Sequence, residues 1–256
     1  MDWTELLFPR TCPACGGPIA AGQTLCAECE RRVARNTSPY CPFCGVSAKD
    51  CRCAHVPRPY DHLVAPFYYE GAVRDTILRL KFGKKEEGAR FLSAELRKEV
   101  EARFFGESFD IVTVVPMSRA RYAERGFNQA RVLAELLMAD PPAPLSDAVA
   151  DYGLLKKVRS GSGAMQHLLG AESRRENIRG SIRVGANREL SGKRVLLIDD
   201  IVTTGATAGE CAAMLRMEGA ASVSVAAAAV TRYTGAQADR SKEKEPGPLY
   251  KPAENR

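Results

Sequence analysis

Val195-Leu196-Leu197-Ile198-Asp199-Asp200-Ile201-Val202-Thr203-Thr204-Gly205-Ala206-Thr207 is the stretch that decides the fold. Four apolar residues follow Lys193-Arg194 and run into two carboxylates. That is the pattern of a short strand buried on both faces, which belongs in a parallel sheet. Three threonines and Gly205 stand where the strand stops, and Ala212, Leu215 and Glu218 then recur at helical spacing over 208–218. A glycine-containing turn into a helix leaves backbone N–H groups unpaired at the positive end of the helix dipole, which makes a seat for phosphate. The hydroxyls of Thr203, Thr204 and Thr207 add neutral donors, so this seat needs no lysine and is not a Walker loop.

Asp199 and Asp200 fall at the carboxyl end of the strand, where open parallel sheets take their ligands. Adjacent strand residues face opposite sides, so the two acids serve different purposes unless the backbone bends. Carboxylates a few residues from a phosphate seat suit the vicinal hydroxyls of a ribose, and together they predict a ribose 5-phosphate. The stretch resembles the 5-phosphoribosyl 1-pyrophosphate (PRPP) motif of type I phosphoribosyltransferases: four hydrophobic residues, two acids, two more hydrophobic residues, then Thr-Thr-Gly-x-Thr. The resemblance implies Asp199 and Asp200 on the ribose hydroxyls, with Thr203, Thr204, Gly205, Ala206 and Thr207 around the 5-phosphate. The fold it implies is a parallel-sheet α/β domain.

A chain of 256 residues suits one main core plus a small module. The hydrophobic content of 45% and charge of 27% are ordinary for a globular protein, and a net charge of +6 biases it only mildly toward anions. Without a run of eighteen apolar residues, and with a start lacking signal-peptide character, the chain is expected to be cytoplasmic with no transmembrane segment. Eight of the nine cysteines fall between residues 12 and 53 as close pairs, which in a reducing compartment favours metal over disulfides.

Cys12-Pro-Ala-Cys15 and Cys26-Ala-Glu-Cys29 have the spacing of a tetrahedral four-cysteine zinc site, and residues 26–35 read as a helix following the second pair. Cys41-Pro-Phe-Cys44 and Cys51-Arg-Cys53 form a second set, with His55 as an alternative to Cys53 for the fourth ligand. Sequential pairing is the default reading, and spacing alone leaves an interleaved one open. Structural zinc, one ion or two, is expected. A zinc-binding module at 1–57, an α/β domain at 58–233 and a disordered tail at 234–256 follow. Trp3, Leu6, Leu7 and Phe8 suggest a short helix packing on the module.

Beyond the linker at Arg58-Pro-Tyr, residues 63–69 are rich in β-formers. Gly71 opens an amphipathic helix ending near Lys81, read on its chemistry as a lysine completing the helix dipole. A helix is expected over 88–104 and a strand over 109–115. The cationic loop after that strand, with Ser118, Arg119, Arg121 and Arg125, could clamp a pyrophosphate, and Asn128 caps a helix over 129–138. Residues 151–194 hold ten Lys or Arg against four Asp or Glu. Within them Arg159-Ser-Gly-Ser-Gly163, Gln166, His167, Arg174 and Asn177 suggest a basic, mobile lid. A last strand spans 222–230, and Cys211 reads as a small buried residue.

Together the cysteine knuckles, Tyr69-Glu-Gly71 through Lys81-Phe82, Arg125-Gly-Phe-Asn-Gln129, the spaced Gln166, Leu169, Arg174 and Asn177, and the opening motif resemble the ComF family of competence-associated, phosphoribosyltransferase-like proteins. The resemblance covers about residues 10–231. It promotes Lys81 to a candidate site residue, beside Asn128, Gln129, Gln166 and Arg174. Gly180-Ser-Ile182 departs from the family's Gly-Ala-Phe. The function implied is PRPP binding in DNA uptake, with Mg²⁺ on the pyrophosphate, Asp199, Asp200 and Arg125 as candidate catalytic residues, and competence helicase or DNA-processing proteins as candidate partners. Two rivals are a salvage phosphoribosyltransferase and a non-catalytic module that senses PRPP and binds single-stranded DNA or docks protein. Tyr40, Phe43, Tyr60, Tyr68 and Tyr69 are the candidate stacking residues for the DNA reading. With three histidines and no Ser-His-Asp pattern, a triad hydrolase is not expected.

Overall fold

The computed structural model describes residues 10–53, 55–83, 86–158, 180–186 and 188–232. In chain order its elements are α1 (Ala27–Arg31), β1 (His62–Val64), β2 (Phe67–Tyr68), α2 (Gly71–Gly83), α3 (Glu86–Arg103), β3 (Ile111–Val114), α4 (Arg119–Arg125), α5 (Gln129–Ala139), β4 (Val149–Ala150), β5 (Leu155–Lys157), β6 (Ile182–Val184), β7 (Arg194–Val202), α6 (Ala206–Met217) and β8 (Ser222–Val230). The proposed helix around Trp3, the lid over 159–179 with Gln166 and Arg174, and the tail from 233 lie outside the described residues.

β7 is the centre of the sheet. It pairs in parallel with β8 from Arg194↔Ser222 to Val202↔Val230, and with β3 from Ile111↔Val195 to Val114↔Ile198. β1 and then β2 pair along the far side of β8, and β4 lies outside β3, all in parallel. Val195, Leu196, Leu197 and Ile198 are fully buried because both faces are covered, which is why this strand reads as a continuous apolar run. On one face Ile77 of α2, Leu92 and Leu96 of α3, and Leu133 and Leu137 of α5 pack with Leu196 and Ile198. On the other, Cys211, Ala212 and Leu215 of α6 pack with Val195, Leu197 and the antiparallel ribbon β5–β6.

The cysteine-rich segment is built into both cores. Cys12, Ala14, Leu25 and Cys29 join the first, whereas Cys41, Cys44 and Val46 join the second. Asn36, 4% exposed, ties the segment to β1: its Nδ2 donates to the carbonyls of Gly45 and Ala65, and its Oδ1 accepts from the Ser47 N–H.

Three expectations change. The helix after Cys26 ends at Arg31, not near 35, because the Arg32 carbonyl is taken by the Ala72 N–H at 3.3 Å. Gly71 meets that carbonyl with φ +50°, where a Cβ would collide with it. Residues 119–125 are a short helix, not a loop, capped at Ser118 and closed by left-handed Gly126. The basic segment 151–194 contributes a ribbon, since Leu155 and Ile182 each carry an apolar side chain inward. No described helix is long and apolar enough to cross a membrane.

Candidate functional site

At the end of β7 the two-residue alternation breaks. Ile198 and Ile201, three apart, both pack with the first core, and Leu197 and Val202, five apart, both belong to the second. Regular pleating would put each pair on opposite faces. The shift falls across Asp199 and Asp200, whose side chains take up backbone donors: the Asp200 N–H donates to Asp199 Oδ1 at 2.8 Å and the Ile201 N–H to Asp200 Oδ1 at 2.9 Å. The acids are thereby neighbours, not residues facing opposite ways. Burial, then the adjacent Asp200 carboxylate, push the Asp199 carboxyl well above the ordinary range. Lys81, at the end of α2, places Nζ 3.0 Å from Asp200 Oδ2, with both side chains largely buried. It is therefore a member of the site and not a solvated helix-end lysine.

The turn after β7 is the candidate anion seat. Gly205 stands at φ +72° as the N-cap of α6, and Thr204 Oγ1 accepts from the Ala206 N–H at 3.4 Å. That leaves first-turn N–H groups facing outward, with Thr203 exposed and Thr207 half-buried beside them. A Cβ on Gly205 would come within 2.9 Å of the Tyr60 hydroxyl. Tyr60, a linker residue and candidate stacking aromatic in the sequence, is 5% exposed and packs against this turn. Its segment is clamped to α6 by Arg216, which donates from Nε to the Pro59 carbonyl at 3.0 Å and from Nη2 to the Asp61 carboxylate at 2.6 Å. Thr231, from the end of β8, donates its hydroxyl to the Thr203 carbonyl at 3.3 Å.

Around α4 the candidate residues divide. Ser118 Oγ accepts from the Arg121 N–H, and Asn128 is the N-cap of α5, accepting from the Ala130 N–H and donating to the Val115 carbonyl at 3.0 Å. These two hold the helices onto the end of β3. Arg125 donates to Gln129 Oε1 at 3.3 Å, while Arg125 Nε and Gln129 Nε2 are buried donors with no acceptor. Such orphans suit an acceptor-rich ligand. Arg119 and Arg121 are exposed. A cation that the sequence reading passed over, Lys157 of β5, is half-buried on the α6 side. The alternation of Leu155, Lys156 and Lys157 was its available signal.

The cysteines form two groups with sequential pairing. The donor atoms of Cys12, Cys15, Cys26 and Cys29 lie within 4.8 Å of one another, as do those of Cys41, Cys51, Cys53 and His55. His55 thus enters the second compact set beside Cys53, and it is Cys44, not Cys53, that falls outside it, although Cys44 still stands 3.6 Å from Cys51. A tetrahedral zinc with Zn–S bonds of about 2.3 Å sets its sulfurs about 3.8 Å apart, whereas a disulfide would bring them to about 2 Å. The separations are 3.8 Å for Cys15–Cys26 and 3.7 Å for Cys41–Cys53, the edges that zinc requires. Burial opposes ionisation of Cys12, but the N–H groups of Cys15, Cys26 and Ala14 outweigh it and bring the thiol down to about 6. Both groups fit structural zinc. Of the aromatics beside them, Tyr60 and Tyr68 are buried, and Phe43 stacks on His55 at 5.4 Å.

Comparison with known proteins agrees with the two cysteine clusters. A family described as the double zinc ribbon domain matches residues 3–59. DNA utilization protein YhgH of Escherichia coli O157:H7 is 33% identical over 230 residues, covering 86% of this chain and 96% of that protein. Competence protein ComFC of Bacillus subtilis is 27% identical over 214 residues, covering 79% of this chain and 82% of that protein. Among solved structures, a hypoxanthine phosphoribosyltransferase from Staphylococcus aureus is 14% identical, with 59% of this chain and 69% of that one covered and a TM-score of 0.35. With a third of its residues shared along nearly the full length of one such relative, the chain belongs to the ComF family of competence-associated, phosphoribosyltransferase-like proteins.

Proposed function

We propose that the site at the end of β7 binds PRPP with Mg²⁺, and that the protein uses this ligand in the cytoplasm during DNA uptake or processing. One observation carries the reading: adjacent acids, with Lys81 paired to Asp200, adjoin a glycine turn at the N-terminus of α6. The seat takes the 5-phosphate on N–H groups and the hydroxyls of Thr203, Thr204 and Thr207. Asp199 and Asp200 accept from the ribose hydroxyls. Arg125 and Gln129, whose buried donors lack acceptors, and Arg119 and Arg121 face the pyrophosphate.

The residues present fit a Mg²⁺–pyrophosphate ligand, because the acid pair and the free donors complement its two signs. Bound there, Mg²⁺ would neutralise charge on the leaving group. The chain's own part is to orient the ribose through the acids and to meet the departing oxygen with arginine. No protein nucleophile is required. The role in DNA handling rests on the relatives, which are named for competence and DNA utilization. Candidate partners are single-stranded DNA and the competence helicase or other DNA-processing proteins.

The test is thermal unfolding with and without PRPP and Mg²⁺. At 100 times its dissociation constant, a ligand of the folded state stabilises by about 2.7 kcal/mol, an easily read shift. Asp199→Asn with Asp200→Asn should abolish it. A wild-type protein unmoved by millimolar PRPP would sink the ligand assignment. Pyrophosphate release in the presence of candidate acceptors then separates transfer from sensing.

A further inference from the structure

We propose that Arg79 is a positioning residue that ties the first zinc cluster to the ligand site: it answers the charge of the loaded cluster and thereby holds α2, whose other side carries Lys81 onto Asp200. Its effect on ligand affinity rests on the PRPP reading above. α2 meets the cysteine segment at two points. At its start the Ala72 N–H donates to the Arg32 carbonyl at 3.3 Å, and the Asp75 carboxylate takes the Arg32 guanidinium at 2.8 Å. Toward its end the Arg79 guanidinium lies over Gly16, where an added Cβ would stand 2.6 Å from Nη2 and 3.2 Å from Nη1. Asp75 and Arg79, four apart, share one face of the helix. Lys81 lies two residues beyond Arg79 and so faces elsewhere, with Nζ 3.0 Å from Asp200 Oδ2.

The two points belong to different knuckles. Gly16 follows Cys15 directly, and Arg32 closes the turn after Cys29, donating its N–H to the Cys29 carbonyl at 3.0 Å. A metal ion shared by Cys12, Cys15, Cys26 and Cys29 therefore fixes the spacing of the two places where α2 is attached. Lys81 is about half a turn past the second of them, too near for the helix end to shift without moving its ammonium.

Charge adds to geometry. Arg79 Nε is buried without an acceptor, and among the described residues no carboxylate pairs with this guanidinium, although Arg32, Arg35 and Lys81 each have one. A buried cation lacking a counter-charge is costly. Zinc held by four thiolates carries a net charge of about −2. The loaded cluster supplies the counter-charge that no described side chain gives, and the knuckle beneath Arg79 is part of it.

Three measurements on zinc-loaded wild type, Arg79→Met and Arg79→Lys test this. The first needs no ligand: acetic anhydride should acylate Lys81 several-fold faster in Arg79→Met than in wild type, read by mass spectrometry, with the rate at Lys157 unchanged and Arg79→Lys close to wild type. An unchanged rate at Lys81 overturns the proposal, and equal acceleration at both lysines overturns it by marking a general loosening. In the second, one of the two zinc ions should pass to a chelator about tenfold sooner in Arg79→Met, and release of both at wild-type rates overturns the charge pairing. The third is titration with PRPP and Mg²⁺ in a double-mutant cycle with Lys81→Met. Arg79→Met should weaken binding by about tenfold on its own and by nothing further once Lys81 is replaced, because both changes remove the same contact. Additive losses overturn the link to Lys81 and leave the PRPP site standing. Wild type that does not bind PRPP overturns that reading, and the acylation rates then decide the role of Arg79 by themselves.

Discussion

The first cysteine cluster closes within residues 12–29 and the second within 41–55, whereas the acid site gathers Lys81 from α2, Tyr60 from the linker, Arg125 and Gln129 from α4 and α5, and Asp199 to Thr207 from β7 and its turn. In the clusters a short loop brings ligands together, and burial aids their task by excluding competitors for the metal. The acid site uses burial differently: a carboxyl is held against its preference to ionise, and donors are left without acceptors. The difference teaches that the cysteine segment contributes stability and the strand end gives some of it up. Each expected outcome below presses on that contrast.

Zinc removal should have the largest effect. Each cluster belongs to a different core, one on each face of the sheet. Structural zinc contributes on the order of 10 kcal/mol, comparable with the whole stability of a domain. Chelation, or Cys12→Ser combined with Cys41→Ser, is expected to abolish cooperative unfolding of the entire molecule by circular dichroism. Were the sheet to melt unchanged after chelation, the clusters would be appendages and the comparison would break.

Gly205→Ala comes next. An L-residue at φ +72° costs about 1–2 kcal/mol, and the added methyl meets the Tyr60 hydroxyl at 2.9 Å. The melting temperature should drop by several degrees and the PRPP-induced shift should vanish, with zinc content by metal analysis unchanged. A variant that still responds to PRPP like wild type would move the phosphate away from this turn.

Asp199→Asn should have the smallest effect on stability, and an opposite sign. With its folded-state carboxyl raised above the ordinary range, Asp199 keeps a proton that the unfolded chain has released, so stability falls as pH rises from the ordinary carboxylate range toward the raised value. The amide removes that dependence and should raise the melting temperature at neutral pH by a few degrees, while weakening PRPP binding. Wild type should release protons on binding Mg²⁺ and PRPP, visible as heats that vary with buffer ionisation enthalpy. Identical pH–stability curves for wild type and variant would contradict a protonated pair.

Much of the architecture was legible because its signals are local. The run Val195 to Ile198 announced a strand covered on both sides, Gly205 its turn, Asn128 a helix cap and the C-x-x-C pairs their zinc clusters. Lys81 was ambiguous, since a helix-end lysine and a site lysine look alike until the partner is placed; here it is Asp200, on a strand far along the chain. The ribbon at Leu155 to Lys157 escaped notice because three residues carry little periodicity and charge dominated the segment. The α4 helix leaves no trace in the sequence because its seven residues bury no side chain and so show no apolar stripe.

By itself the sequence determined the parallel α/β class, the cysteine clusters, the buried strand ending in two acids and the glycine turn after it, because each depends on residues within one turn, strand or knuckle. Tertiary structure alone decided that Asp199 and Asp200 become neighbours, that Tyr60 packs against the turn at Gly205, and that Lys81 meets Asp200. The physical reason is that charge regulation and close approach depend on what surrounds a group in space. Chain order records only what surrounds it along the backbone.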